Sequence, residues 1–289
     1  MKDLLAHADE IPVTLVLAIA YATVAILTRS IGLEFAPSDQ LFALGSLAPM
    51  DVLDQPWRLL THAFVHGNLV HLAFNLSFLL SIGPALERSM GSLKFVALYL
   101  VAALGGGIAV CLVYPLDGAV VGGSGALFGM MGALVAWNMH SGRHLFAFLE
   151  FEGPRRLLSM IAVNLLLGFV IPIVSNTGHV GGLLAGFVVT FLFLTPARRG
   201  IRSRRPWQVA FAALFAGLSF ACVQPVWRWD WLYREATVAT GERRQALERA
   251  LARSAATAPL GPDVDQAVAQ QYFQVMGEVL DVLRQRRRG

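Results

Sequence analysis

Apolar residues dominate seven segments of the chain, and each segment approaches the length of a membrane-crossing helix. They run roughly over 12–28, 68–83, 94–114, 125–141, 157–174, 179–195 and 207–224. A spanning helix needs about 20 mostly apolar residues, so the shorter segments imply tilted helices or a locally thin bilayer. The pattern predicts an all-α polytopic membrane protein.

The same pattern divides the chain into four regions. Residues 1–11 form a short N-terminal segment, 12–195 a membrane core, 196–224 a basic loop with one further spanning helix, and 225–289 a soluble helical tail. Aromatic residues at the start of the tail are typical of a membrane interface. The tail ends in a short heptad-like stripe, which predicts packing within the tail, on a partner or on a second copy.

Composition and charge support the membrane assignment. The chain is 56% hydrophobic and 15% charged, whereas soluble domains carry about 25% charged residues. The net charge of +4 does not indicate nucleic-acid binding, because arginines concentrate in one loop at 198–205. The positive-inside rule predicts that this loop is cytoplasmic. The two cysteines fall in apolar segments and are expected to be buried thiols.

A serine flanked by glycines stands where a flexible turn enters an apolar segment. The run is Gly122-Gly123-Ser124-Gly125. Free backbone amides surround the first turn of a helix, and they stabilise an anion there. Small residues at this spacing also mediate close helix packing in membranes. The motif therefore fits a serine nucleophile, tight packing, or both.

A histidine opens a second apolar segment at the same predicted depth. His179 follows Gly178, and glycines recur at 182 and 186, so one helix face is free of side chains. A lone histidine here would more often be an interhelical hydrogen-bond donor. The matched depth and the glycine face instead favour His179 as the general base for Ser124.

A third set of polar residues precedes and opens the second apolar segment. It consists of His62, His66, His71 and Asn75. Asn68 is expected to cap a new helix, on which His71 and Asn75 lie one turn apart and could donate hydrogen bonds to an oxyanion. His62 and His66 have a simpler interpretation as bridges to loop carbonyls. A zinc site is disfavoured, because no carboxylate or cysteine lies nearby in sequence.

These motifs together resemble the rhomboid intramembrane serine proteases, over about residues 12–195. Trp57-Arg58 resembles the signature of the family's first outer loop, and Glu87 with Gly91-Ser92 resembles the acidic residue and turn after its second helix. The serine motif is similar to the family's G-x-S-G, and His179 with Gly182 and Gly186 fits its sixth-helix motif. Phe128 stands where the family often has tyrosine.

The resemblance implies a fold and a set of roles. The fold would be a six-helix bundle with an added seventh spanning helix. Ser124 and His179 would form a catalytic dyad without aspartate, and the oxyanion hole would comprise His71, Asn75 and the Ser124 amide. Structural or substrate support would come from the remaining motif residues: Trp57, Arg58, Glu87, Gly122, Gly123, Gly125, Phe128, Gly182 and Gly186.

The expected function is cleavage of transmembrane segments near the outer face of a bacterial inner membrane. Neither a metal nor a cofactor is expected. The partners are transmembrane protein substrates and the bilayer, and the tail is available for a partner or self-association. Two alternatives remain: a non-catalytic protein of this fold that binds membrane proteins, and a transporter with a histidine proton relay.

Overall fold

The described part of the chain contains helices, turns and one isolated β-bridge. The computed structural model describes residues 8–49, 52, 55–113, 119–140, 158–159, 161–163, 165–166, 168, 175–195 and 204–222. All of them belong to the first of two units into which the chain divides, Met1–Cys222. The predicted tail at 225–289 and most of the arginine loop lie outside the described residues.

Eight α-helices are described in full. They are α1 Pro12–Leu27, α2 Ser38–Ala43, α3 Arg58–Thr61, α4 Leu69–Met90, α5 Ser92–Val113, α6 Ser124–His140, α7 Asn176–Val189 and α8 Arg205–Cys222. Short 3-10 turns cover Ala8–Glu10 and His62–Phe64, and α7 continues into a π-helical turn at Thr190–Leu194. The described positions between 158 and 168 are also helical.

Three of these helices are long and apolar enough to cross a membrane. They are α4, α5, and α7 together with its π-helical turn. Helix α1 is apolar but shorter, at 16 residues. Helical residues also occur within each of the other predicted apolar segments, so the described structure agrees with a helical membrane protein.

Helix α4 extends further than the apolar pattern predicts. The pattern ends at 83, before Pro84 and the charged pair Glu87 and Arg88, but the helix continues to Met90. The carboxylate of Glu87 is buried there and accepts hydrogen bonds from the backbone amides of Val13 at 2.9 Å and Thr14 at 2.8 Å. It therefore lies in the last turns of α4 and not after the helix. A charged residue ends an apolar pattern even when it is buried with partners.

Glu87 caps the first turn of α1 from a distant part of the sequence. It also accepts from the hydroxyls of Thr14 and Ser92, each at 2.7 Å. The first amides of a helix have no partner within it, and a carboxylate there is favoured by the helix dipole. One side chain thus joins α1, α4 and the start of α5.

We expect Glu87→Ala to destabilise the bundle by about 2–3 kcal/mol, because it leaves two helix amides and two hydroxyls without their acceptor. The matched control is Arg88→Ala. Arg88 forms an exposed ion pair with Glu10 at 2.8 Å, and such pairs contribute about 0–1 kcal/mol. The measurement is thermal unfolding in detergent. Equal midpoints for the two variants would contradict the capping role.

Glycines let α7 lie directly against α5 and α6. A Cβ on Gly182 or Gly186 would collide with the backbone of Gly125 or Gly129 on α6. On the other side of α7, a Cβ on Gly181 would lie 2.6 Å from the carbonyl oxygen of Gly105 on α5. The prediction that Gly182 and Gly186 bring another helix very close is confirmed.

Candidate active site

The turn before α6 has a backbone conformation that favours glycine. Gly122 has a φ of +115°, a backbone conformation that residues other than glycine rarely adopt. Its amide donates to the carbonyl of His62 at 3.0 Å, and an antiparallel bridge joins nearby Val120 to Leu47. These bonds fix the turn against the loop that precedes α4. Ser124 is the first residue of α6, so it lies among the unpaired amides of a helix start.

The first turn of α7 carries His179. Ser175 caps this helix by accepting from the amide of Gly178 at 3.2 Å. The helix begins at Asn176, earlier than the predicted start at 179, because polar residues of the cap lie outside the apolar pattern. The backbone amide of His179 donates to the carbonyl of Ser175 at 3.1 Å. The imidazole is therefore held in a capped first turn.

The two helix starts bring the hydroxyl of Ser124 to the imidazole of His179. Nε2 of His179 lies 2.8 Å from Oγ of Ser124, across 55 residues of sequence. The imidazole is buried and stacks on the ring of Phe128, with centroids 4.1 Å apart and planes 10° apart. Its Nδ1 is buried and has no hydrogen-bond partner among the described residues. Stacking on Phe128 thus orients the ring, a role that an aspartate performs in a Ser-His-Asp triad.

His71 and Asn75 approach the turn from α4. Asn68 caps this helix, as predicted, by accepting from the amide of His71 at 2.9 Å. A Cβ on Gly122 would lie only 2.6 Å from Nε2 of His71 and 3.6 Å from Nδ2 of Asn75. An imidazole and a carboxamide therefore face the backbone two residues before Ser124.

His62 and His66 each approach one backbone carbonyl through Nδ1, so the predicted bridging is seen only as a single contact for each ring. Nδ1 of His62 lies 3.0 Å from the carbonyl oxygen of Arg58, and Nδ1 of His66 lies 3.2 Å from that of Phe64. Burial lowers the pKa of His62 to about 4, so the ring is neutral at pH 7. These histidines brace the loop before α4.

Arg58 of the first-loop pair Trp57-Arg58 bonds the loop around it and not the Ser124–His179 pair. The Arg58 guanidinium is buried, donates to the carbonyls of Phe42 and Ser46 at 2.8 and 2.7 Å, and lies 3.6 Å from the centre of the Phe42 ring. Trp57 is 55% exposed. Glu87 is 16 residues beyond His71 on α4, about 24 Å along the helix axis.

Sequence reasoning missed a pair of tyrosines beneath the turn. The hydroxyls of Tyr21 on α1 and Tyr99 on α5 are 2.8 Å apart, and both side chains are fully buried. The available signal was a single tyrosine within each of two mostly apolar helices. A buried phenol needs a hydrogen-bond partner, but the sequence does not show that the two would meet.

Comparison with known proteins points to one family. A rhomboid-domain family model matches residues 53–196. The chain is 37% identical to the rhomboid protease GluP of Bacillus subtilis (strain 168) over 164 residues, which cover 57% of this chain and 31% of that protein. It is 35% identical to RHOMBOID-like protein 5 of Arabidopsis thaliana over 150 residues, which cover 50% of this chain and 46% of that protein.

A third relative is shorter. The putative rhomboid protease YdcA of Bacillus subtilis (strain 168) is 29% identical over 143 residues, or 50% of this chain and 70% of that protein. The chain spans about a third of the length of GluP and about half that of RHOMBOID-like protein 5. The matched region contains both helix starts that meet at Ser124 and His179, and the chain belongs to the rhomboid family.

Proposed function

We propose that this chain is an intramembrane serine endopeptidase that uses Ser124 as nucleophile and His179 as general base. The observation that carries the proposal is the 2.8 Å contact between Oγ of Ser124 and Nε2 of His179. Nucleophile and base must lie within hydrogen-bond reach for such chemistry. The rhomboid proteases among its relatives support the same activity.

In the first half of the reaction, Nε2 of neutral His179 accepts the Ser124 proton while Oγ attacks the substrate carbonyl. In this neutral tautomer the ring proton is on Nδ1, which leaves Nε2 free to accept. The tetrahedral oxyanion accepts hydrogen bonds from His71, Asn75 and the Ser124 amide. When the C–N bond breaks, the imidazolium returns its proton to the leaving amine, and an acyl-enzyme remains.

In the second half, water replaces the amine. The same nitrogen of His179 takes a proton from the water as its oxygen attacks the ester carbonyl. The proton then passes to Oγ of Ser124, which releases the second product as a carboxylic acid. Stacking on Phe128 keeps the imidazole in one orientation through both halves, since Nδ1 has no described partner to do so.

The proposed membrane arrangement is a six-helix bundle with a seventh spanning helix, α8. The ends of α6 and α7 that carry Ser124 and His179 would open to the outer side of a bacterial inner membrane, opposite the arginine loop. Substrates would be transmembrane proteins whose helix is weak near its outer end, because a stable helix hides its carbonyls in internal bonds. The tail at 225–289 would serve partners or self-association.

The direct test is reconstitution in liposomes with a single-span test substrate that carries glycine and proline near the outer end of its helix. We expect a cleaved fragment from the parent chain and none from Ser124→Ala. A fluorophosphonate should label the parent at Ser124. If the parent gives neither fragment nor label, the protease proposal fails, and a non-catalytic function in binding membrane proteins takes its place.

Loss of the oxyanion donors should slow cleavage without abolishing it. We expect His71→Ala and Asn75→Ala each to reduce kcat by roughly 10²–10³-fold, the usual cost of one donor. The measurement is kcat and KM in liposomes, with active sites counted by fluorophosphonate. The matched control is Asn138→Ala, because Asn138 bonds the carbonyl of Leu134 within α6 and should retain the parent rate. A loss no greater than that of the control would remove His71 or Asn75 from the oxyanion hole.

A further inference from the structure

The buried tyrosine pair lies directly beneath the serine turn. Tyr21 and Tyr99 come from helices separated by 78 residues of sequence, and their hydroxyls share one hydrogen bond of 2.8 Å. A polar group buried in the bundle is costly unless it is bonded. Each hydroxyl therefore holds the other in place, and the pair ties α1 to α5.

The Tyr21 phenol fills the space in which position 123 would place a side chain. A Cβ on Gly123 would collide with the oxygen and Cζ of Tyr21, and it would lie 3.0 Å from the carbonyl oxygen of Ala63. The described glycines with positive φ are Gly45, Gly91 and Gly122, so it is the shortage of space that excludes a side chain at position 123. Tyr21 thus contacts the residue immediately before Ser124.

The ring of Tyr21 is also connected, through His66, to His71 of the proposed oxyanion hole. Its ring packs on His66, with centroids 4.7 Å apart, and His66 packs on His71, with centroids 5.2 Å apart. One side chain therefore supports two groups that must converge on the oxyanion: the backbone before Ser124 and the imidazole of His71.

We propose that Tyr21, held by Tyr99, is a positioning residue for the oxyanion hole. This inference rests on the proposed function. In the described structure the Tyr21 hydroxyl bonds Tyr99 and not Ser124 Oγ, and the Tyr21 ring packs on His66 and not on His179. Tyr21 therefore acts through Gly123 and His66. It fixes the Ser124 amide relative to the imidazole of His71, and a small displacement of such donors is costly to the reaction.

The test is a pair of variants that exchange volume across this contact. Gly123→Ala adds the Cβ that collides with Tyr21, and we expect kcat to fall about 100-fold with KM nearly unchanged. Tyr21→Leu removes the colliding atoms, and alone it should lower kcat about tenfold. In the double variant, kcat should rise at least about fivefold above that of Gly123→Ala, because the added methyl group enters the vacated space.

Controls separate positioning from general stability. Phe95→Leu alters a buried ring one turn before Tyr99 on α5, and we expect it to lower the unfolding midpoint while kcat per labelled active site stays at the parent value. If the double variant is no faster than Gly123→Ala, or if Tyr21→Leu raises KM and leaves kcat unchanged, the positioning role is wrong.

Failure of the proposed function would give a different result from failure of the positioning role. A parent chain that cleaves nothing and takes no fluorophosphonate label would overturn the protease proposal and the catalytic purpose of Tyr21 with it. The contact itself has a separate readout in thermal unfolding. Gly123→Ala should lower the unfolding midpoint, and adding Tyr21→Leu to that variant should partly restore it. Both effects are expected whether or not the chain cleaves a substrate.

Discussion

Replacing Ser124 by alanine should reduce substrate cleavage by roughly 10⁴-fold or more, to the level of protein-free liposomes. The variant keeps every helix but removes the only atom that attacks the carbonyl in the proposed mechanism. Its methyl group fits where the serine Cβ already lies, so no collision follows. The measurement is the rate of fragment release from a single-span substrate, compared at equal protein in the membrane.

The matched control for this substitution is Ser89→Ala. Ser89 is exposed on α4 and bonds the carbonyl of Ala85 within its own helix at 2.6 Å, so the control also removes one hydroxyl from a spanning helix. It should cleave at the parent rate, and both variants should unfold at the parent temperature. Cleavage by Ser124→Ala at a rate near the parent's would exclude Ser124 as the nucleophile.

The sequence allows the Ser124–His179 pair to be predicted because both residues are polar exceptions at the starts of apolar, glycine-marked segments. Glycine spacing at 182 and 186 indicates that a neighbouring helix lies very close, and helix periodicity then places His179 near that contact. Asn68 before a long apolar run predicts a helix cap. Each signal is local, because the residues that make it up lie within a few positions of one another in the chain.

The residues that support the Ser124–His179 pair could not be predicted in the same way, because they act through contacts between segments that are distant in sequence. Glu87 caps α1 across more than 70 residues of sequence, and Tyr21 meets Tyr99 across 78. In each case the residue alone suggests only a polar group that needs a partner. The partner follows from how α1, α4 and α5 pack, and the apolar surfaces of membrane helices fit many neighbours.

Replacing His179 by alanine should lower cleavage about as far as Ser124→Ala, because no other described side chain lies within hydrogen-bond reach of Ser124 Oγ to accept its proton. The matched control is His140→Gln, at the opposite end of α6 from Ser124. Its Nδ1 lies 3.2 Å from the Arg204 guanidinium, and glutamine keeps an acceptor for that bond. The control should retain the parent rate, and comparable losses in both variants would point to general damage to the bundle.

The same base should govern the pH dependence of two separate reactions. Only neutral His179 accepts a proton, so kcat/KM for cleavage, which reports the free enzyme, should fall as the pH drops through the His179 pKa, approaching about tenfold per pH unit. Labelling of Ser124 by a fluorophosphonate needs the same proton transfer and no peptide substrate. It should therefore lose rate with the same midpoint in the parent chain. Labelling that speeds up in acid, or a midpoint that differs from that of cleavage, would show that His179 is not the shared base.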